Sequence, residues 1–171
     1  MTLTLYVLRH AKAELDSADG TDHGRDLKKR GRRAARAVGA FLTEQGEAPD
    51  LILCSTALRA RETARLAAEG GSWEVDLVLD PAIYETSVRG LLERLRVLED
   101  GPRRVLLVGH QPVLSLLVAE LTGAEPAFPT GALARIDLSA AHWRDVGPRS
   151  GLLAFLVTPA VIGGRPGALG D

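Results

Sequence analysis

The stretch Leu3-Thr4-Leu5-Tyr6-Val7-Leu8-Arg9-His10-Ala11 decides the fold. Six residues rich in apolar and β-favouring side chains end abruptly at a guanidinium and an imidazole, which reads as a buried strand delivering Arg9 and His10 at its C-terminal end. Three later segments repeat that plan. Leu51-Ile52-Leu53-Cys54 leads into Ser55 and Arg59. Val75 to Leu79 is broken by Asp80-Pro81 and leads into Tyr84-Glu85. Val105-Leu106-Leu107-Val108 leads into Gly109-His110, and its wholly apolar run predicts a central strand covered on both faces.

Helical patterns separate these strands. From Leu27 onward, Ala34, Val38, Phe41 and Leu42 share one face, and Gly46 and Pro49 close the segment. Residues 57–69 carry Ala57, Ala60, Ala64 and Ala67 on a small-residue face suited to close packing, with Gly70-Gly71 as the expected stop. Ser87 is positioned to cap a helix bearing Leu91, Leu92, Leu95 and Leu98. Pro112 is expected at the first turn of a buried helix over 112–122. After Gly123, two strands over 131–138 and 151–158 flank a connection containing Trp143 and Gly147, and at least one is expected to run antiparallel. The order β-α-β-α-β-α-β-α-β-β predicts a three-layer α/β/α sandwich on a mostly parallel six-stranded sheet. The 171 residues suit one domain spanning the chain, with a mobile tail over 163–171.

Composition narrows the function classes. A 46% hydrophobic and 25% charged content with formal net charge −1 offers no global electrostatic case for nucleic acid or membrane binding. Cys54 is the single cysteine, so neither an internal disulfide nor a cysteine-based zinc site can form. No apolar stretch approaches the ~20 residues of a membrane span, and no signal-peptide pattern opens the chain. A soluble cytoplasmic protein is the expectation.

Ligands of open α/β sheets bind beyond the C-terminal ends of the strands. Arg9, His10, Ser55, Arg59, Glu85 and His110 are all expected at that edge. Two imidazoles, two guanidinium groups and a carboxylate suit phosphoryl transfer to an imidazole without a metal. A neutral histidine attacks phosphorus, and the cations balance the equatorial oxygens. A carboxyl group would protonate the leaving oxygen and later activate water.

These motifs resemble the histidine phosphatase superfamily, the phosphoglycerate mutase-like group, and within it the short phosphohistidine phosphatase (SixA-like) branch. Leu8-Arg9-His10-Ala11-Lys12-Ala13 is similar to that branch's Arg-His signature. Ser55-Thr56-Ala57-Leu58-Arg59-Ala60-Arg61-Glu62-Thr63 resembles its Ser-Pro-x-x-Arg-Ala-x-Gln-Thr, and Val108-Gly109-His110-Gln111-Pro112 matches the turn carrying its second histidine. The resemblance implies a nucleophilic His10, phosphate ligands Arg9, Arg59 and His110, and an acid in the region of Glu85. It adds Arg25 as a residue able to reach the pocket, and Ser55 is a candidate phosphate contact or helix cap. The family's Arg-Pro-Leu-Thr is here Arg25-Asp26-Leu27-Lys28, which leaves Asp26 as the expected cap of the first helix.

The expected activity is a cofactor-free phosphatase acting through phospho-His10, with a phosphate or sulfate ion fitting the pocket. The substrate is a phosphorylated protein such as a phosphorelay domain, or a small phosphoester such as a sugar phosphate. The rival is a non-catalytic phosphate-binding module.

Overall fold

The structure is a computed structural model that describes residues 2–163; the tail expected beyond Gly163 lies outside the described residues. Six strands form one sheet: β1 (Leu3–Arg9), β2 (Leu51–Ser55), β3 (Asp76–Asp80), β4 (Arg104–Gly109), β5 (Leu133–Leu138) and β6 (Gly151–Val157). Their order is β3-β2-β4-β1-β5-β6. The first four are mutually parallel, β5 runs antiparallel to β1, and β6 antiparallel to β5. The expected mostly parallel sheet with an antiparallel addition is therefore what forms.

Strand alternation between two covered faces explains why β1 is apolar over residues 5–8 and β4 over residues 105–108. Leu5, Val7, Val105 and Leu107 pack on one face with Leu91 and Leu95 of α3 (Val88–Arg96) and Leu114 and Leu117 of α4 (Val113–Thr122). Tyr6, Leu8, Leu106 and Val108 face the other way, onto Val38 and Leu42 of α1 (Lys29–Glu44) and Ala60 and Ala64 of α2 (Leu58–Gly71). Two helices thus cover each face, and a short α5 (Pro159–Ile162) follows β6. Each fully buried Val or Leu contributes about 1.5–3 kcal/mol, so the two central strands hold the three layers together. Edge strand β3 is different: Leu77, Val78 and Leu79 all keep substantial exposure.

Three local expectations change. Asp26 does not cap α1. The N-cap is Lys28, without a side-chain bond, while the Asp26 carboxylate takes Leu27 N–H and pairs with Arg32 at 2.6 Å. The helix start is held instead by Lys28 N–H on the Lys12 carbonyl (2.9 Å) and by Gly31, where an added Cβ would stand 2.2 Å from that same oxygen. Gly70-Gly71 do not stop α2; they form its last turn, and Ser72 takes the left-handed position at φ 55°. These glycines serve close approach, because a Cβ on Gly70 would lie 2.2 Å from the Arg36 carbonyl oxygen of α1. Pro112 precedes α4 as its N-cap residue, joined to Gln111 by a cis bond, and the Gln111 side chain accepts Ser115 N–H. Ser87 caps α3 as expected, accepting Gly90 N–H at 3.1 Å.

The contact between α1 and α2 is the tightest test of this packing. A Cβ on Gly39 would stand 1.8 Å from the Ala67 carbonyl oxygen, a backbone atom that cannot swing aside. Gly39→Ala is expected to destabilise the fold by about 1–3 kcal/mol despite alanine's better helix propensity. Gly90→Ala in α3 meets only the rotatable Thr86 hydroxyl and is expected to be neutral or stabilising. Urea-unfolding midpoints of the two variants check both signs.

Candidate active site

The C-terminal ends of the parallel strands meet at one edge, and the sheet register sets their neighbours. Arg9 pairs with Gly109, so the residues that follow, His10 and His110, leave adjacent strands side by side. Their rings lie 5.2 Å apart, centroid to centroid. His10 N–H bonds the Gly109 carbonyl (3.0 Å), Arg9 N–H bonds the Ala132 carbonyl (3.1 Å), and Gly131 N–H reaches back to the carbonyls of Arg9 and His10. Thr63 of α2 ties the same turn to Arg59: its hydroxyl accepts Ala11 N–H at 3.0 Å and donates to the Arg59 carbonyl at 2.6 Å.

His10 and His110 are each only 8% exposed and Arg59 only 6%. The three, with Arg9, Lys12, Arg25, Gln111 and Thr130, line an open cleft of about 240 Å³. His10 Nδ1 lies 2.8 Å from the Ala11 carbonyl oxygen. A carbonyl only accepts, so Nδ1 carries the proton and Nε2 keeps its lone pair free. Burial foremost, reinforced by the charges of Arg59, Arg9 and Arg25, lowers the His10 pKa to about 4. Burial, then His10 and Arg59, lowers that of His110 to about 3. Both imidazoles are neutral at pH 7.

The cations are held by part of their donor sets only. Arg9 gives Nη1–H to the Phe128 carbonyl at 2.9 Å. Arg59 gives Nη1–H to the Asp22 carbonyl (2.7 Å) and Nη2–H to its carboxylate (3.0 Å). Arg9 Nε, Arg59 Nε and His110 Nδ1 are buried and have no hydrogen-bond partner. Ser55 is fully buried behind His110. Its Oγ lies 2.8 Å from His110 Nε2 and accepts Ala57 N–H, so it orients the imidazole and does not line the cleft.

Glu85 is not brought together with these groups. It is exposed and lies outside the residues lining the cleft. The carboxylate that does join the cluster is Asp22, from the loop before α1. Besides Arg59 it accepts Arg25 Nη1–H at 2.8 Å and the Tyr84 hydroxyl at 2.6 Å. Those bonds, that from Tyr84 foremost, hold its carboxyl well below the usual range, so it is ionised. Tyr84 in turn sets its ring edge against His110 and His23. Asp22 and Tyr84 are not among the expected site residues, because Asp22 sits in a polar loop without periodicity and Tyr84 adjoins Glu85, the more obvious acid. Among the described residues no cluster of His, Cys, Asp and Glu is arranged to hold a metal ion. No described helix is long and apolar enough to cross a membrane.

The arrangement can hold a tetrahedral oxyanion against the free Nε2 of His10. Comparison with known proteins agrees. The model of the histidine phosphatase superfamily (branch 1) matches residues 5–94. Phosphohistidine phosphatase SixA of Escherichia coli K12 is 31% identical over 142 residues, covering 80% of this chain and 86% of that protein. The solved structure of protein histidine phosphatase SixA complexed with tungstate superposes with a TM-score of 0.81 at 25% identity, covering 94% of this chain and 99% of that one. A putative α-ribazole-5′-P phosphatase from E. coli K-12 shares the fold at 22% identity, with a TM-score of 0.65 and coverage of 93% and 98%. The chain belongs to the histidine phosphatase superfamily, in the SixA-like part of its branch 1, and is a phosphatase.

Proposed function

We propose that the chain hydrolyses protein-borne phosphohistidine through a phosphoryl intermediate on His10. The observation that carries this reading is the convergence of Arg9, His10, Arg59 and His110 on one cleft, with Arg9 Nε, Arg59 Nε and His110 Nδ1 buried and without a hydrogen-bond partner. Leaving a buried guanidinium donor unpaired costs about 1–3 kcal/mol, and an oxyanion seated against His10 supplies an acceptor to this cationic cleft. With the Ser55 proton on His110 Nε2, the imidazole carries its own proton on Nδ1 and donates to the anion.

In the first step His10 Nε2 forms a bond to phosphorus while the bond from phosphorus to the leaving group breaks. Arg9, Arg59 and His110 carry the charge on the equatorial oxygens, with Arg25 at the rim. In the second step water adds to phosphorus, the P–Nε2 bond breaks, and orthophosphate leaves. The Ala11 carbonyl holds the proton on Nδ1 throughout and steadies the cationic phosphoimidazole.

The leaving group decides between substrates. Among the described residues lining the cleft there is no carboxyl group, and Asp22 behind them is ionised and tied. A sugar alkoxide needs a proton donor to depart. A phosphohistidine whose other ring nitrogen carries a proton, a site with a reference pKa near 6.5, releases neutral imidazole and needs no strong acid from the protein. This favours a phosphoramidate such as phosphohistidine over a small phosphoester.

Three outcomes are expected. His10→Ala lowers turnover of phosphoramidate and phosphohistidine protein by roughly 10³-fold or more, whereas Glu85→Gln stays within about threefold; a steady-state comparison checks both, and an active His10→Ala contradicts the mechanism. Asp22→Asn weakens the hold on Arg59, so KM for phosphoramidate rises by about tenfold, the size of one charge-assisted hydrogen bond. The third concerns pH. The folded His10 and His110 bind protons only near pH 4 and 3, and the unfolded chain binds them near 6.5. The unfolded state therefore holds more protons between those values, and stability falls as pH drops from about 6.5 toward 4. Imidazole ¹⁵N shifts for both residues are expected to stay those of neutral rings at pH 5; titration near 6.5 contradicts the buried site.

A further inference from the structure

The residue that closes one side of the catalytic cleft, Leu15, is 80% exposed. A leucine standing in water at the mouth of a charged cleft gains nothing for the fold. It also lines a second, larger depression of about 530 Å³, together with Glu14, Asp16, Ala18, Asp26, Lys28 and Leu58 among others. The two concavities therefore share one lip. The lip belongs to a loop with its own internal scaffold. The Asp19 carboxylate accepts from the Ser17 hydroxyl (2.9 Å) and from the Thr21 N–H (3.0 Å) and hydroxyl (2.9 Å), and Gly24 admits the Asp19 side chain where any Cβ would collide.

We propose that this second depression docks the polypeptide segment carrying the phosphate, taking an apolar residue against Leu15 and Leu58 and a basic residue against Asp16. The inference rests on the phosphohistidine reading above and adds what must flank the phosphorylated side chain. Continuity with the cleft is the first reason: a side chain with its phosphoryl group on His10 leaves its backbone at the lip. Charge is the second. Glu14 already faces Lys28 at 3.8 Å and Asp26 is bound to Arg32, whereas Asp16 is exposed and takes part in no ion pair among the described residues. The cleft is cationic and the depression acidic, so the segment that bridges them is an anionic phosphoryl group next to a basic residue. A small phosphoester would fill the cleft and leave Leu15 bare.

The test uses the intact chain, phosphoramidate as the small substrate, and two short phosphohistidine peptides, one with Leu and Lys beside the phosphohistidine and one with Ser and Glu at the same places. Wild type is expected to prefer the Leu/Lys peptide by kcat/KM. Asp16→Lys, which reverses the charge, and Ala18→Trp, which fills the depression, are each expected to raise KM for that peptide by roughly five- to tenfold, the loss of one contact or ion pair. Both leave kcat and phosphoramidate turnover unchanged. Equal use of the two peptides, or variants indistinguishable from wild type on the Leu/Lys peptide, overturns the docking inference while the phosphatase reading stands. Preference for a small phosphoester over both peptides overturns it together with the phosphohistidine assignment, and wild type inactive on every substrate overturns the mechanism itself.

Discussion

Arg59 is a guanidinium almost wholly withdrawn from water, and the pairing that makes this tolerable, with Asp22, is what the site depends on. A buried cation without a partner is costly. Asp22 takes one N–H from each terminal nitrogen, through its carbonyl and its carboxylate. Arg59 Nε is left without a protein partner. The same residue gathers Arg25 and Tyr84, so one loop carboxylate orders two cations and the aromatic edge beside His110. Arg9 follows the same logic, with the Phe128 carbonyl in Asp22's place. In both, the protein binds part of the guanidinium and leaves its Nε without a partner.

The sheet supplies the second constraint. β1 and β4 are adjacent and parallel, so residues placed just after each strand emerge together. Covering both sheet faces with helices keeps these strands apolar over residues 5–8 and 105–108 and places the polar chemistry at and beyond their C-terminal ends. The burial that stabilises the fold is therefore also what keeps both imidazoles neutral. Stability and nucleophilicity at neutral pH share one origin.

Much of this was legible in the chain. Long apolar strands ending in Arg9-His10 and Gly109-His110, alternating with helical periods, specify the sandwich and bring those side chains together. Arg59 follows β2 closely, and the resemblance of residues 55–63 to the family's motif singles it out from Arg61. What escaped reading depended on approach between segments far apart in sequence. Asp22 has no signature in a polar loop, and only the folded chain places it against Arg59, 37 residues on. At the end of β3 the segment is legible but the residue is not, because strand-end logic gives position and not direction: Tyr84 turns toward Asp22 and His110 while Glu85 is exposed. Gly70 and Gly71 read as a helix stop, yet a glycine's missing Cβ serves contact between helices as well as chain reversal. Asp26 reads as a cap by its residue type, but Arg32, six residues on, competes for the same carboxylate.

The central claim is that His10 carries the phosphoryl group during turnover. The direct measurement is mass-spectrometric mapping of the enzyme quenched in alkali while it consumes phosphoramidate. One phosphoryl group is predicted on His10, stable in base, lost in acid, and absent from His10→Ala. Turnover without that adduct, or with phosphate mapped to His110 or another residue, would contradict the account.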